Sequence, residues 1–249
     1  MIQSLDRGIR ILLILAERDC AGITELAETL GVDKSTASRL VETLRAHDMV
    51  RLDPETRKYR LGFRILHLGE SLKGNLNVIA IARPMLTELS AQLDESVHLC
   101  AFNNNSAYVM DQVRSNKNYA LSATVGMVEP FHCSSVGKCI LAFRRQDTIR
   151  ALLENYEFTR YTENTITTKE ALLEDLERIR ARGYAVDDEE MAPGVRCLAV
   201  PVYDYRNSAR YSIGVSGPRE NISSVTMELY IRRMAEMARK LSSAIGSTR

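Results

Sequence analysis

The sequence predicts an α+β chain of two domains, and three features carry that expectation. The first sixty residues hold three short amphipathic helical segments in close succession. A basic strand–turn–strand segment follows them directly. From about residue 96 onward strand-like and helix-like segments alternate, an order that suits a central, mostly antiparallel sheet with helices packed on it. A length of 249 residues fits two domains better than one.

The totals narrow the class. Apolar residues make up 45% and charged residues 26%, the balance of an ordinary soluble globular protein. The net charge is +1, so a nucleic-acid surface must be a local patch on a nearly neutral molecule. No apolar run approaches the roughly 20 residues of a membrane span, and no membrane partner is expected. In MIQSLDRGIRILLILAERDC the short apolar stretch is followed by Glu17 and Asp19 and by no small-residue cleavage site, as in a mature cytosolic start. The five cysteines (Cys20, Cys100, Cys133, Cys139, Cys197) are odd in number and lack Cys-x-x-Cys spacing. Reduced thiols in the cytoplasm fit better than a disulfide framework or a structural zinc finger.

Residues 4–17 place Leu5, Ile9, Leu12, Leu13 and Ala16 at helical spacing, with Ser4 as the N-cap. A second helix runs from Ile23 to Leu30 on a face of Ile23, Leu26, Ala27 and Leu30, and Gly31 ends it. The third begins near Lys34 and buries Ala37, Leu40, Val41 and Leu44. Only Gly31-Val32-Asp33 joins the last two, so they must cross steeply, the geometry of a helix-turn-helix.

Opposite the apolar stripe of the third helix sit Ser35, Arg39, Glu42 and Ala46, flanked by Thr36 and Ser38. Short hydroxyls and an arginine near a helix N-terminus suit a major groove, where Arg39 can fork onto guanine. On an isolated helix the same residues form an ordinary solvated face, and the next segment decides between the two. Met49–Leu52 and Arg57–Leu61 read as strands around an Asp53-Pro54 turn. Arg57, Lys58, Arg60 and Arg64 lie in or just past this hairpin, with no acidic residue from 56 to 64. Such a hairpin is a wing that clamps phosphates, which predicts a winged helix-turn-helix with Lys34, Ser35, Thr36, Ser38, Arg39, Arg57 and Lys58 on the DNA.

From Leu61 to about Leu93 the pattern is helical, interrupted at Gly74 and at Pro84, where a new helix can start. Phe63, Leu66 and Leu72 either pair with a second copy of the chain or pack on its own core. Ser96–Phe102 and Ala107–Val113 flank an Asn103-Asn104-Asn105 turn. Helices are expected at Val136–Phe143, at Thr148–Leu153, along the stripe Leu172, Leu173, Leu176 and Ile179 capped by Gly183, and from Val225 to Leu241. Val195–Tyr203 and Ala209–Ser216 are strand-like.

The run from Asn164 to Asp204, NTITTKEALLEDLERIRARGYAVDDEEMAPGVRCLAVPVYD, closely resembles the effector domain of the IclR family of transcription regulators. So do HCSSVGKCILA, ARPMLTELSAQLDESVHL and VSGP, while SLDRGIRIL, GITELAETLGVDKSTASRLVETL and DPETRKYRLG resemble its DNA-binding half. The resemblance covers almost the whole chain. It implies a winged helix-turn-helix domain over residues 1–61, a linker helix over 62–75 and a GAF-like α/β effector-binding domain over 76–249. It also implies a homodimer or homotetramer on double-stranded operator DNA, a small organic, sugar or aromatic acid as effector, and no cofactor. By position the resemblance places the ligand pocket around Ser135, Val136, Asp187, Cys197, Gly214 and Ser216, with Leu121 and Glu129 on a covering loop.

Physical chemistry supports parts of that pocket. Ser134-Ser135-Val136-Gly137 leads into a helix, whose free N–H groups and dipole can hold a carboxylate. Cys197 and Ser216 are small uncharged donors, and Asp187 either accepts from a ligand hydroxyl or orders the loop around Gly194 and Arg196. The chain departs from the family's pattern in three places. Gly214 stands where a serine is frequent, which removes a hydroxyl and makes room. Glu129 stands where an apolar residue is frequent, pointing outward or disfavouring an acidic ligand. Arg57 replaces a wing glycine, in a left-handed conformation that costs roughly 1 kcal/mol. A metal-binding or catalytic GAF-like protein with a DNA-binding appendage is the alternative, built on Asp187-Asp188-Glu189-Glu190 or on His132 with Cys133, Cys139 or Cys197. Consecutive carboxylates on a strand point apart, and no spacing marks the histidine and cysteines as a site, so neither catalytic nor metal residues are expected. In the expected mechanism the ligand shifts the DNA-binding domains through the linker helix.

Overall fold

A computed structural model describes residues 2–74, 77–115 and 123–249. The chain divides into two units, Met1–Asn77 and Val78–Arg249.

In the first unit three helices, α1 (Gln3–Arg18), α2 (Ile23–Leu30) and α3 (Lys34–Ala46), pack with a two-stranded hairpin, β1 (Val50–Leu52) and β2 (Tyr59–Leu61). Gly31 takes the left-handed conformation that closes α2, and Asp33 caps α3 by accepting the N–H of Thr36 at 2.8 Å. The cap of α1 differs from expectation. Ile2, not Ser4, precedes its first turn and makes no side-chain bond. The buried stripe of α1 also differs, being Ile11, Ile14 and Leu15 together with Leu26, Leu30, Val41 and Val50. Leu5, Ile9 and Leu13 instead lie exposed on the opposite side. Both sides of α1 are apolar, so periodicity alone cannot tell which one meets the core.

Next come α4 (Phe63–Gly74) and α5 (Asn77–Leu93). Pro84 lies inside α5 rather than at a helix start. Its missing N–H leaves a carbonyl one turn back unpaired, but the buried face of Val78, Ala82, Leu86, Leu89 and Leu93 holds the helix continuous through it.

The second unit is built on a six-stranded sheet of β3 (Ser96–Asn103), β4 (Ser106–Val113), β5 (Val128–Glu129), β6 (Ala185–Asp188), β7 (Val195–Val202) and β8 (Tyr211–Pro218). Their order is β5-β4-β3-β8-β7-β6, and every pair is antiparallel. Asn104 and Asn105 turn β3 into β4 with φ of 45° and 60°, the left-handed pair a tight hairpin requires. α5 and α9 (Ser224–Ala244) cover one face, packing on Val97, Leu99, Leu198, Val200, Ile213 and Val215. α6 (Ser135–Ala142), α7 (Gln146–Leu152) and α8 (Lys169–Arg182) cover the other.

On that second face the side chain of Lys138, 1% exposed, is enclosed. Its ammonium lies 2.5 Å from Glu190 and 3.1 Å from Asp175 of α8. Burial raises the Glu190 carboxyl to about 7 even though Lys138 opposes the shift. The cluster ties α6, α8 and the turn after β6 together. Removing the cation strands two carboxylates in a dry site, so Lys138→Met should cost roughly 3–5 kcal/mol in denaturant unfolding. That deficit should shrink as pH falls from 8 to 6, because Glu190 then takes up a proton and no longer needs its partner.

Candidate functional site

On α3, Lys34, Ser35 and Arg39 are exposed and Thr36 and Ser38 half-buried, with Ser35 and Arg39 on the side away from Ala37 and Val41. Asp33 takes both nearby hydroxyls, from Ser35 at 2.6 Å and Thr36 at 2.7 Å. Those bonds hold its carboxyl well below the usual range. With their protons directed at Asp33, Ser35 and Thr36 turn lone pairs outward, a better match for base amino groups than for phosphate oxygens. Arg7 and Ser4 of α1 border the same groove as Thr36, Arg39 and Thr43. Arg7 falls within the motif SLDRGIRIL but is not among the predicted site residues, because the packing of α1 on α3 is what brings it there.

The wing is less freely basic than its composition. Arg60 turns back onto Asp19 at 2.6 Å and Asp53 at 3.2 Å, and Lys58 lies 3.5 Å from Glu25. Asp53 also accepts the N–H groups of Glu55 and Thr56, forming the turn. Arg57, at the tip with φ 57°, is exposed and has no ion pair among the described residues. The charge of Arg60 is therefore engaged inside the domain.

In the second unit, strand alternation sends every other side chain toward α6. One row across the sheet is Asp187, Cys197 and Ser216, and the neighbouring row is Ala199, Gly214 and His98. Of these, Asp187, Cys197, Ser216 and His98, with Glu129, Ser134, Ser135, Val136 and Met191, line a cavity of about 220 Å³, and the predicted Gly214 lies beside His98 without lining it. That volume is below the roughly 300 Å³ at which metabolite pockets usually begin, which restricts it to a small ligand. Ser134 caps α6 by accepting the N–H of Gly137 at 2.9 Å. The N–H groups of Ser135 and Val136, first in the helix, have no intrahelical acceptor and face outward from its positive end.

The cavity's carboxylates are buried. Asp187, 1% exposed, accepts from the N–H groups of Glu190 at 2.7 Å and Met191 at 3.3 Å, and burial pushes it up to about 6. It thus orders its own turn. Gly194 is held instead by Glu189, and Arg196 by both oxygens of Asp188. Glu129 lies on β5, paired with Ala107, rather than on a loop, and points inward, where burial raises its carboxyl. Leu121 lies outside the described residues. Gly214 does not leave room. A Cβ there would stand 2.3 Å from His98 Nε2, so the imidazole already fills that space. His98, overlooked in the sequence because it sits mid-strand among apolar neighbours, is 3% exposed and pushed down to about 4 by burial.

His132 stands apart, with Nδ1 on the Tyr156 hydroxyl at 3.0 Å and Nε2 on the Thr159 carbonyl at 2.8 Å. Burial raises the thiols of Cys133, Cys139 and Cys197.

An exposed histidine takes a proton near pH 6.5 and His98 only near 4, so its neutral form stabilises the fold fully above about 6.5 and less as pH falls. His98→Phe removes that dependence. Between pH 7.5 and 5 the native chain should lose about 2 kcal/mol relative to the variant in paired urea titrations.

Comparison with known proteins agrees with this layout. The model of the IclR helix-turn-helix domain matches residues 4–54, and that of the C-terminal domain of the bacterial transcriptional regulator IclR matches 71–243. The chain is 33% identical to the HTH-type transcriptional regulator KdgR of Escherichia coli, over 98% of this chain and 93% of that protein. It is 32% identical to the transcriptional repressor IclR of the same organism, over 100% and 92%. Among solved structures, IclR of Thermotoga maritima superposes with a TM-score of 0.80 at 27% identity, covering 99% of this chain and 100% of that one. An IclR-type regulator from Alicyclobacillus acidocaldarius gives 0.84 at 27% identity, with the same coverage. The chain belongs to the IclR family of DNA-binding transcriptional regulators, with a helix-turn-helix domain ahead of an effector-binding domain.

Proposed function

We propose that this regulator acts in the cytoplasm as a repressor. It binds operator DNA as a homodimer, or a pair of dimers, and alters its grip when a small organic acid enters the cavity beneath α6. The observation that carries the ligand reading is the convergence of Asp187, Cys197, Ser216, His98 and the free amides of Ser135 and Val136 on one cavity. A carboxylate suits the amides, and a hydroxyl suits Asp187 or Ser216. No chemistry on the ligand is assigned, because both ring nitrogens of His132 are engaged and the thiols are held protonated. The four carboxylates from 187 to 190 are each engaged by backbone N–H groups or cations of the protein.

On the DNA side, Lys34, Ser35, Thr36, Ser38 and Arg39 enter the major groove while Arg57, with Lys58 beside it, meets a phosphate. Exposed Leu5, Ile9 and Leu13 on α1 and Phe63 and Leu66 on α4 supply an apolar surface that a second copy can cover. Two recognition helices then reach half-sites about one helical turn apart. The effector acts only through its different affinity for the two arrangements of the dimer.

Gel shifts on DNA from the protein's own promoter region test this. Arg39→Ala should weaken specific binding by about 1–3 kcal/mol and relax the preference at one base position per half-site. Arg57→Ala should weaken all sequences alike and lower the salt slope by roughly 0.9 for each phosphate left without its cation. Ser216→Phe should fill the cavity and abolish the response to any active acid. A native chain that prefers its own promoter no more than random duplex would overturn the proposal.

A further inference from the structure

We propose that His98 is a specificity-determining residue of the effector cavity, supplying from β3 the hydrogen-bonding group that a side chain at position 214 of β8 would otherwise supply. The proposal rests on the reading of this cavity as the effector site.

His98 and Gly214 are directly paired across two strands. On Gly214 a built Cβ would meet His98 Nε2 at 2.3 Å, His98 Cε1 at 2.6 Å and Val136 Cγ1 at 2.6 Å. One volume therefore serves two positions, and the imidazole holds it. The ring lines the cavity, is 3% exposed, and its buried Nδ1 has no hydrogen-bond partner among the described residues. A buried polar atom left unpaired is unfavourable, and in folded proteins each such case calls for an explanation. Nδ1 has no surface open to the cavity as the ring stands, and a ligand that draws the ring round to meet it would supply one.

The chemistry of the surroundings shapes what can bind. A neutral imidazole offers one donor and one acceptor, so it can give to an oxo oxygen or take from a hydroxyl. The same cavity is lined by Glu129 and Asp187, which when ionised only accept, and by Ser216, which does both. A hydroxyl can donate to a carboxylate and accept from the ring at once. An oxo group can only accept, from the ring or from Ser216, and offers the carboxylates no donor. The geometry thus favours a small hydroxylated acid over its oxo counterpart, with the acid group on the free amides of α6.

The test uses the full-length protein and calorimetric titration with lactate, pyruvate, D-gluconate and benzoate. The native chain should bind a hydroxylated acid of this set more tightly than pyruvate. His98→Phe keeps the ring volume without its nitrogens and should weaken binding about tenfold or more, whereas His98→Asn should stay within a few-fold. The imidazole carbon resonances of His98 should shift on titration, which a purely structural histidine far from the ligand would not show. Gly214→Ser should also lose binding, and the double change His98→Ala with Gly214→Ser should restore it with a changed ranking of acids. Urea unfolding of each variant identifies any that fail to fold, and His98→Leu, which also lacks the ring nitrogens, then stands in for His98→Phe. An acid that binds the native chain and is lost in Ser216→Phe but unchanged in His98→Phe overturns the role of His98 alone. An acid indifferent to Ser216→Phe, or no binding of any of the four, overturns the cavity reading and this proposal with it.

Discussion

The ammonium of Lys138, enclosed with Asp175 and Glu190, is the constraint on which the second unit's site depends. Taking three charges out of water is unfavourable, and only close mutual approach offsets it. The three residues come from α6, α8 and the turn after β6, so their pairing fixes those elements as a set. A cationic group four residues into α6 thereby holds the helix start above the sheet. Gly137 finishes the placement: a Cβ there would lie 2.3 Å from the Pro130 carbonyl, so only glycine lets the preceding segment close over the first turn. The free amides of Ser135 and Val136 are then aimed at the cavity by packing that the cavity residues themselves do not provide.

Around those amides the cavity sets opposite tendencies against each other. The helix end favours an anion, while Glu129 and Asp187 bring carboxylates that burial pushes above their ordinary pKa. Asp187 is stabilised by two backbone N–H groups, so its charge is partly engaged by its own turn. His98 stays neutral and adds no charge to the balance. A site of this kind discriminates by hydrogen-bond direction more than by net charge. A group that offers the wrong direction leaves a buried partner unpaired, and that is costly.

In the first unit charge pairing shapes the surface in the same way. Asp33 fixes the start of α3 and orients Ser35 and Thr36, while Asp19, Asp53 and Glu25 hold Arg60 and Lys58 in the hairpin. Acidic residues here build the shape of a basic surface. Arg39 and Arg57 are exposed, so a chain of net charge +1 can still carry a local basic patch of the kind the proposed DNA contact needs.

Much of this was legible in the residues themselves. The helix-turn-helix and hairpin follow from apolar spacing and from the short link Gly31-Val32-Asp33, and the antiparallel strands follow from alternation and the Asn104-Asn105 turn, because these are local properties of backbone and side chain. The motifs around Ser135, Asp187, Cys197 and Ser216 marked one cavity in advance. What local pattern could not supply was which of two apolar faces of α1 is buried, whether Pro84 ends a helix, and whether Arg60 faces DNA or Asp19. Nor could it show that His98 occupies the space above Gly214. Each of those depends on an atom from a distant part of the chain, brought within a few ångströms only by the sheet register and helix packing. Sequence determined the elements and most of the chemistry, and tertiary packing decided which groups remain free to act.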